Sequence, residues 1–402
     1  MTTKVPENVV RFRAGVDVGS TQTRLLVEGV DAENKTVYNN QVVISSEVGI
    51  VKDDLAAKMA TKRAKTRKEI YGTPTIAGKE VPVYRNSIDV TYPAKAGSMT
   101  KNSLIALERV LDDVFEELTS YKKPIWAGIG VPTEFTRTEY RDVVIGKILP
   151  RVINRNGQTD NRDITAAEAF FEACAIRAAD VDDDIDLGRL CLNSIGGGTT
   201  NLYIADGIAP NEDNSLSFGF AGRDLTERFR KYVLEDNPDA KMDFGYAEKL
   251  LCGEAEGHKN VRAMISGFDK PDKVPTLTVP IDIAGVYRER NVGRAMDRAV
   301  RDLFEKNYES VLELLRKYQG EVKPVTFVYT GRAGQIHGLD KALEDGLHRA
   351  HFTDAQVYNL SKFKKGNKQL FEPNLLVAQG ALEAAHEAES DPNFKWHYLM
   401  PK

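Results

Sequence analysis

Two segments far apart in the chain share one pattern, and that repetition constrains the fold more than any other feature. The first runs Ala14-Gly15-Val16-Asp17-Val18-Gly19-Ser20-Thr21-Gln22-Thr23 into Arg24-Leu25-Leu26-Val27. The second runs Ser194-Ile195-Gly196-Gly197-Gly198-Thr199-Thr200-Asn201 into Leu202-Tyr203-Ile204. Each reads as a strand, a tight turn and a second strand. Glycine lets a backbone approach a ligand closely, and exposed N–H groups with small hydroxyls suit phosphate. Two such turns facing each other are expected to hold a nucleotide's phosphates from both sides.

The 402 residues suffice for two large domains or one bilobed one. A formal net charge of -4 argues against a general nucleic-acid binder. Cys174, Cys191 and Cys252 sit in apolar contexts without metal spacing, so they read as buried free thiols of a reducing compartment. No apolar run approaches the roughly 18 residues of a membrane span, and Met1 to Arg13 has no apolar signal core. A cytoplasmic chain with no direct membrane anchor is the expectation.

Along the chain, residues 12 to 46 alternate as a strand meander. Residues 52 to 70 read as a basic helix carrying Lys58, Lys62, Arg63, Lys65, Arg67 and Lys68, either a solvated face or a contact for an acidic partner. Residues 82 to 92 read as strand, Ser103 to Leu118 as an amphipathic helix and Ile125 to Val131 as a buried strand closed by Pro132. A helix is expected over Thr138 to Ile153, and a short strand at Ile164 leads into one over Ala166 to Ala178. Asp182, Asp183, Asp184 and Asp186 read as an acidic turn at the crossing between lobes. After the second turn come a strand at Ser215–Phe220 and helices at Asp224–Leu234 and Tyr246–Cys252. A long amphipathic helix over Val292 to Tyr318, a strand at Val325–Thr330 and helices at Leu339–Leu347 and Leu375–Glu389 complete the pattern. This is a duplicated α/β plan of two lobes around a cleft. The boundaries read as lobe I over 9–186, with 46–90 as a small subdomain and helix 375–390 returning to it. Lobe II covers 187–374, with about 226–290 as its small subdomain. A tail over 391–402 carries Phe394, Trp396, Tyr398 and Leu399.

Five segments in this order resemble the actin and sugar-kinase superfamily of ATPases, and within it the bacterial actins of the rod-shape and magnetosome kinds. They are the first turn (Asp17, Gly19, Ser20, Thr21, Thr23), Gly128-Ile129-Gly130-Val131-Pro132, and the second turn (Gly196, Gly197, Gly198, Thr199, Thr200). Thr330-Gly331-Arg332-Ala333-Gly334-Gln335-Ile336-His337-Gly338-Leu339 and Val377-Ala378-Gln379-Gly380-Ala381 follow. The resemblance implies a ribonuclease H-like α/β fold that binds ATP or ADP with magnesium. Asp17 would hold the metal through its waters. The two turns would cradle the phosphates, and Gly331, Arg332 and Gln335 would pass the purine and ribose. Gly222 would open the next helix near the nucleotide, with Glu248 and Lys249 beside the adenosine. Glu168 would orient the attacking water, with Glu172 one turn along as the alternative.

Three departures matter. Ser194 and Asn201 stand where the family's second turn has acids, and Arg332 stands where glycine is usual. Serine carries no charge to hold metal-bound waters. Nucleotide binding with slow hydrolysis is therefore expected, in a filament that is its own main partner and takes a protein adaptor or cargo besides. The alternatives from other classes are a non-polymerising adaptor ATPase and, less favoured, a small-molecule kinase.

Overall fold

A computed structural model describes residues 4–52, 67–68, 74–77, 81, 88–93, 100–133, 142–155, 162–179, 186–206, 210–252, 265, 274, 276–321, 323–365 and 368–390. Internal packing divides the chain into two units. One is Met1–Asp180 with Gly207–Ser217 and Asn374–Lys402, and the other is Val181–Asp206 with Phe218–Pro373.

In the first unit, β1 (Arg11–Val18), β2 (Gln22–Val30) and β3 (Thr36–Ser45) form the expected meander. A small sheet follows from β4 (Val48–Val51), β5 (Arg67–Lys68), β6 (Pro74–Ala77) and β7 (Ile88–Thr91). Strands β8 (Ile125–Val131) and β9 (Arg162–Ala167) then join the main sheet in the order β3-β2-β1-β8-β9. Strands β1, β8 and β9 run parallel, so their C-terminal ends share one edge. Helix α1 (Lys101–Ser120) is capped by Thr100, whose side chain accepts from the Ser103 N–H, and its apolar face packs Leu107, Leu111, Val114 and Phe115 into the core. A π-turn over Val144–Ile148 and α2 (Leu149–Arg155) stand where one helix is expected. Helix α3 (Glu168–Ala178) follows β9 directly.

The second unit repeats the plan. Strands β10 (Leu190–Ile195), β11 (Thr200–Ala205), β16 (Thr326–Thr330) and β17 (Gln356–Asn359), with β12 (Ser215–Phe218), of which only Phe218 is counted in this unit, give the order β12-β11-β10-β16-β17. A separate three-stranded sheet is made by β13 (Ala240–Lys241), β14 (Thr278–Ile283) and β15 (Val286–Asn291). Its helices are α4 (Gly222–Asp236), α5 (Phe244–Cys252), α6 (Gly293–Lys317) and α7 (Leu339–Arg349). Helix α6 is pinned to the sheet by a fully buried polar network. Asn193 and Asn307 exchange two amide hydrogen bonds of 2.8 Å, and the Tyr329 hydroxyl donates to Asn307 Oδ1 at 2.8 Å. Every member is satisfied, which is the condition for tolerating polar groups in a core.

The repeat extends to register. Asp17 pairs with Arg24 across the first hairpin and with Gly130 on β8. Ser194 pairs with Asn201 across the second hairpin and with Thr330 on β16.

Helix α8 (Leu376–Ser390) returns to the first unit and lies unusually close to its sheet. A methyl added at Gly15 would overlap the Ala378 carbonyl, one at Gly128 the Ala381 carbonyl, and one at Gly380 the Phe171 carbonyl. Gly15 and Gly128 are register partners, so together they form one notch for the helix backbone. Its far end is held by Glu389, which accepts from Arg11 and, at 2.5 Å, from Arg13. Gly128→Ala is expected to cost about 3 kcal/mol, because backbone rather than a flexible side chain must move. Urea denaturation reads this as a lower midpoint at unchanged slope.

Several expectations need correction. Arg67–Lys68 is strand, paired with β6, where a basic helix over 52 to 70 is expected; 53–66 and 69–73 lie outside the described residues. Only Cys191 is fully buried, while Cys174 and Cys252 are partly exposed; all three are free. Of the acidic turn only Asp186 is described, and its carboxylate accepts from the Gly188 N–H. The tail over 391–402 lies outside the described residues. No described helix is long and apolar enough to cross a membrane.

Candidate functional site

The first turn occupies Gly19-Ser20-Thr21 at the C-terminal edge of β1. Among the described residues, the N–H groups of these three residues make no hydrogen bond, whereas the Thr21 carbonyl accepts from the Ser46 N–H at 3.2 Å. Gly19 and Ser20 are half-buried and Thr21 is exposed. Three successive unpaired N–H groups at such an edge form an anion-binding concavity. Thr23, expected beside the phosphates, is placed differently from Ser20 and Thr21. It is completely buried, and its hydroxyl lies 2.9 Å from Ser46 Oγ, where it braces the turn. Strand alternation turns it inward with Leu25 and Val27.

Asp17 ends the same strand. It is 9% exposed, and its carboxylate makes no hydrogen bond among the described residues. Desolvation pushes its carboxyl up to about 7, and the opposing Arg24 guanidinium only partly offsets this. A buried carboxylate with no donor suits a cation, so Asp17 fits the magnesium role assigned to it. The sequence alone gives Arg24 a place on the second strand but no role at the site. Its signal is the spacing, since the residue seven positions after Asp17 faces it across the hairpin.

Glu168 opens α3 one residue past the end of β9, half-buried in the first helical turn, where an acid suits the helix dipole. Register aligns Asp17 with Gly130 and Gly130 with Ala166, so Asp17 and Glu168 share the C-terminal edge of three adjacent parallel strands. Open α/β sheets bind ligands at this edge. Glu172 is almost fully buried.

The second unit assembles its segments around the second turn. Gly196, Gly197 and Gly198 are half-buried and Thr199 is buried. The Gly196 N–H donates to the Thr199 carbonyl at 2.9 Å, closing the turn. The start of α4 clamps it, since the N–H groups of Gly222 and Arg223 donate to the Gly196 and Gly197 carbonyls at 3.0 and 2.8 Å. Thr200 ties the turn further through its hydroxyl to the Phe220 carbonyl at 2.6 Å. The N–H groups of Gly197, Gly198 and Thr199 make no hydrogen bond among the described residues. The second turn thus has the same three open donors as the first.

Gly331 has a positive φ of 70°, and a methyl there would stand 2.5 Å from the Ile195 carbonyl oxygen, so only glycine fits this approach of the loop to β10. The same loop meets α4, since a methyl at Gly222 would stand 3.7 Å from Ala333 Cβ. Gln335 serves the loop itself, its amide donating to the Tyr329 and Gly331 carbonyls at 3.3 and 3.2 Å. Arg332 is exposed. Glu248 and Lys249 lie on the exposed face of α5, opposite Ala247, Leu250 and Leu251, and among the described residues no hydrogen bond joins them to these loops. Ser194 and Asn201 are nearly fully buried.

No family model matches the chain. Two curated relatives do, both described as the actin-like protein MamK. The one from Magnetospirillum gryphiswaldense is 22% identical over 84% of this chain and 82% of its own length. The one from Paramagnetospirillum magneticum is 22% identical over 94% and 93%. Among solved structures, a MamK double helical filament superposes with a TM-score of 0.64 at 20% identity, covering 94% of this chain and 99% of that one. A non-polymerising MamK mutant bound to AMPPNP gives 0.61 at 19% identity, over 94% and 99%. MreB5 of Spiroplasma citri bound to ADP gives 0.58 at 15% identity, over 95% and 99%. The chain has the actin-like α/β fold. Its resemblance along nearly the whole length is to the bacterial actins, MamK and MreB.

Proposed function

We propose that the chain binds magnesium ATP and ADP, assembles into filaments and hydrolyses ATP slowly. The observation that supports this most is the pair of turns at 19–21 and 197–199, each offering three successive N–H groups without a partner. Bound nucleotide supplies a polyanion for those donors. Magnesium would lie near Asp17 and neutralise charge that burial disfavours. Glu168 holds a water for attack on the terminal phosphate, and Ser194 leaves that water without a second carboxylate. The filament reading draws on the MamK relatives and on the filament structure the chain superposes on. Nucleotide closes each subunit, closed subunits stack, and hydrolysis loosens the stack. The polymer would scaffold or position an intracellular cargo in the cytoplasm through a protein adaptor.

Light scattering and pelleting of the full chain with magnesium ATP test the assembly. Pelletable polymer with ATP, absent in EDTA, is the expected result. Nucleotide uptake with no polymer at any concentration would favour an adaptor ATPase instead.

A further inference from the structure

A basic hairpin leaves the main sheet of the second unit at the edge that carries its open turn. Strands β10, β16 and β17 run parallel, and register sets Asn193, Tyr329 and Asn359 at one level. From that level β10 runs on into the turn at 196–199, β16 into the loop at 331–335 and β17 into the segment 360–371. Buried Asn359 ties the last two together, its amide donating to the Gly334 carbonyl at 3.2 Å. Neighbouring strands lie about 4.8 Å apart, so β17 is about 10 Å from β10 across the sheet.

The segment from Leu360 to Phe371 holds four lysines, at 362, 364, 365 and 368, and no acid; Glu372 is the next one. It folds on Phe363 and Phe371, both buried, with ring centroids 5.8 Å apart, and Phe363 also meets Tyr358 of β17 at 6.0 Å. Strands β18 (Lys364–Lys365) and β19 (Lys368–Gln369) close it, and the Leu370 N–H donates to the Phe363 carbonyl at 3.0 Å. With Phe363 turned inward, Lys362 and Lys364 on either side are exposed, as is Lys368. These three lysines enter no ion pair among the described residues. Register also sets Lys365 opposite Lys368, two like charges in an arrangement that weakens a hairpin. The positive charge is thus kept against the hairpin's own stability.

We infer that this hairpin is an electrostatic guide for the nucleotide, drawing the anionic phosphates toward the turn at 197–199. The inference rests on the nucleotide reading above and adds to it a role in capture. The chain's formal net charge of -4 repels an anion at long range, so a local field of opposite sign governs arrival. Charges about 10 Å away act almost unscreened at about 0.01 M salt, where the Debye length is about 30 Å, and weakly at about 0.15 M, where it is about 8 Å. Such rim charges act on the association rate and its salt dependence rather than on dissociation.

The test is stopped-flow binding of a fluorescent ATP analogue, with magnesium, to the full chain at these two salt concentrations. A chain carrying Lys362→Gln, Lys364→Gln and Lys368→Gln is expected to associate about tenfold more slowly than the parent at low salt. It should approach the parent at high salt and dissociate at the parental rate. Arginine at the same three positions keeps the charge and should keep the parental association rate. Equal association rates at low salt, a loss of the same size at both salt concentrations, or a change confined to dissociation overturns the inference. An acidic protein as the hairpin's true partner would give the first of these results. A parent that binds no nucleotide overturns this inference and the reading beneath it together, whereas a parent whose binding is indifferent to the lysines overturns the guide alone.

Discussion

Ser194→Asp is expected to accelerate phosphate release by roughly 10²-fold, the scale of one preorganised catalytic group. Position 194 holds in the second unit the register that Asp17 holds in the first. Each lies at the same step before its turn and faces a residue seven positions later, Arg24 or Asn201. A carboxylate at 194 restores the charge that the resemblance places on metal-bound and lytic water. Ser194 is only 6% exposed, so the new acid is also expected to destabilise the nucleotide-free chain. Single-turnover kinetics separate the effects, because a faster step at saturating nucleotide cannot come from lost stability. An unchanged rate would mean that hydrolysis is limited elsewhere, and a rate in the parent chain already typical of a fast ATPase would contradict the reading of this residue.

Asp17→Asn is expected to abolish the magnesium dependence of nucleotide binding and, without ligand, to stabilise the chain at neutral pH. The sign follows from the direction of the shift. Burial raises the Asp17 carboxyl from 3.8 to about 7, so between these values the folded state holds a proton that the unfolded state has released. Stability attributable to this group is therefore full below about pH 4 and lost as pH rises through about 7. A shift of that size corresponds to about 4 kcal/mol at most, and the nearby surface reduces it. Asparagine has no charge to desolvate, so the variant's advantage grows between pH 4 and 7 and then levels off. Urea titrations across this range read it directly. A variant less stable than its parent at pH 8 would mean that the carboxylate has a partner compensating its charge.

The sequence displayed the repeat itself. Both turns, the strand at Ile125–Val131 and the long helix α6 are legible because glycine, hydroxyl and period-3.6 signals are local. What it hid depends on neighbours distant in sequence. Thr23 reads as a phosphate ligand by type, although its alternation with Leu25 and Val27 already marks an inward residue. Gln335 reads as a purine contact until its 3-10 turn folds the amide back onto Tyr329 and Gly331. Helix α4 begins at Gly222, before the expected Asp224, because the Asp224 carboxylate caps the Ala221 N–H. The notch made by Gly15 and Gly128 requires knowing that β1 and β8 are neighbours and that α8 lies across both.

The central proposal is that the open N–H groups of the turns at 19–21 and 197–199 each bind phosphate of a nucleotide. Equilibrium titration of the chain with ATP, with and without magnesium, tests it most directly when run beside Ser20→Pro and Gly198→Pro, each of which removes one of the open N–H groups. The account predicts magnesium-dependent binding in the parent and a loss of at least about tenfold in each variant, although the two substitutions lie in different units. Absence of binding by the parent, or binding indifferent to a change in either turn, would contradict it.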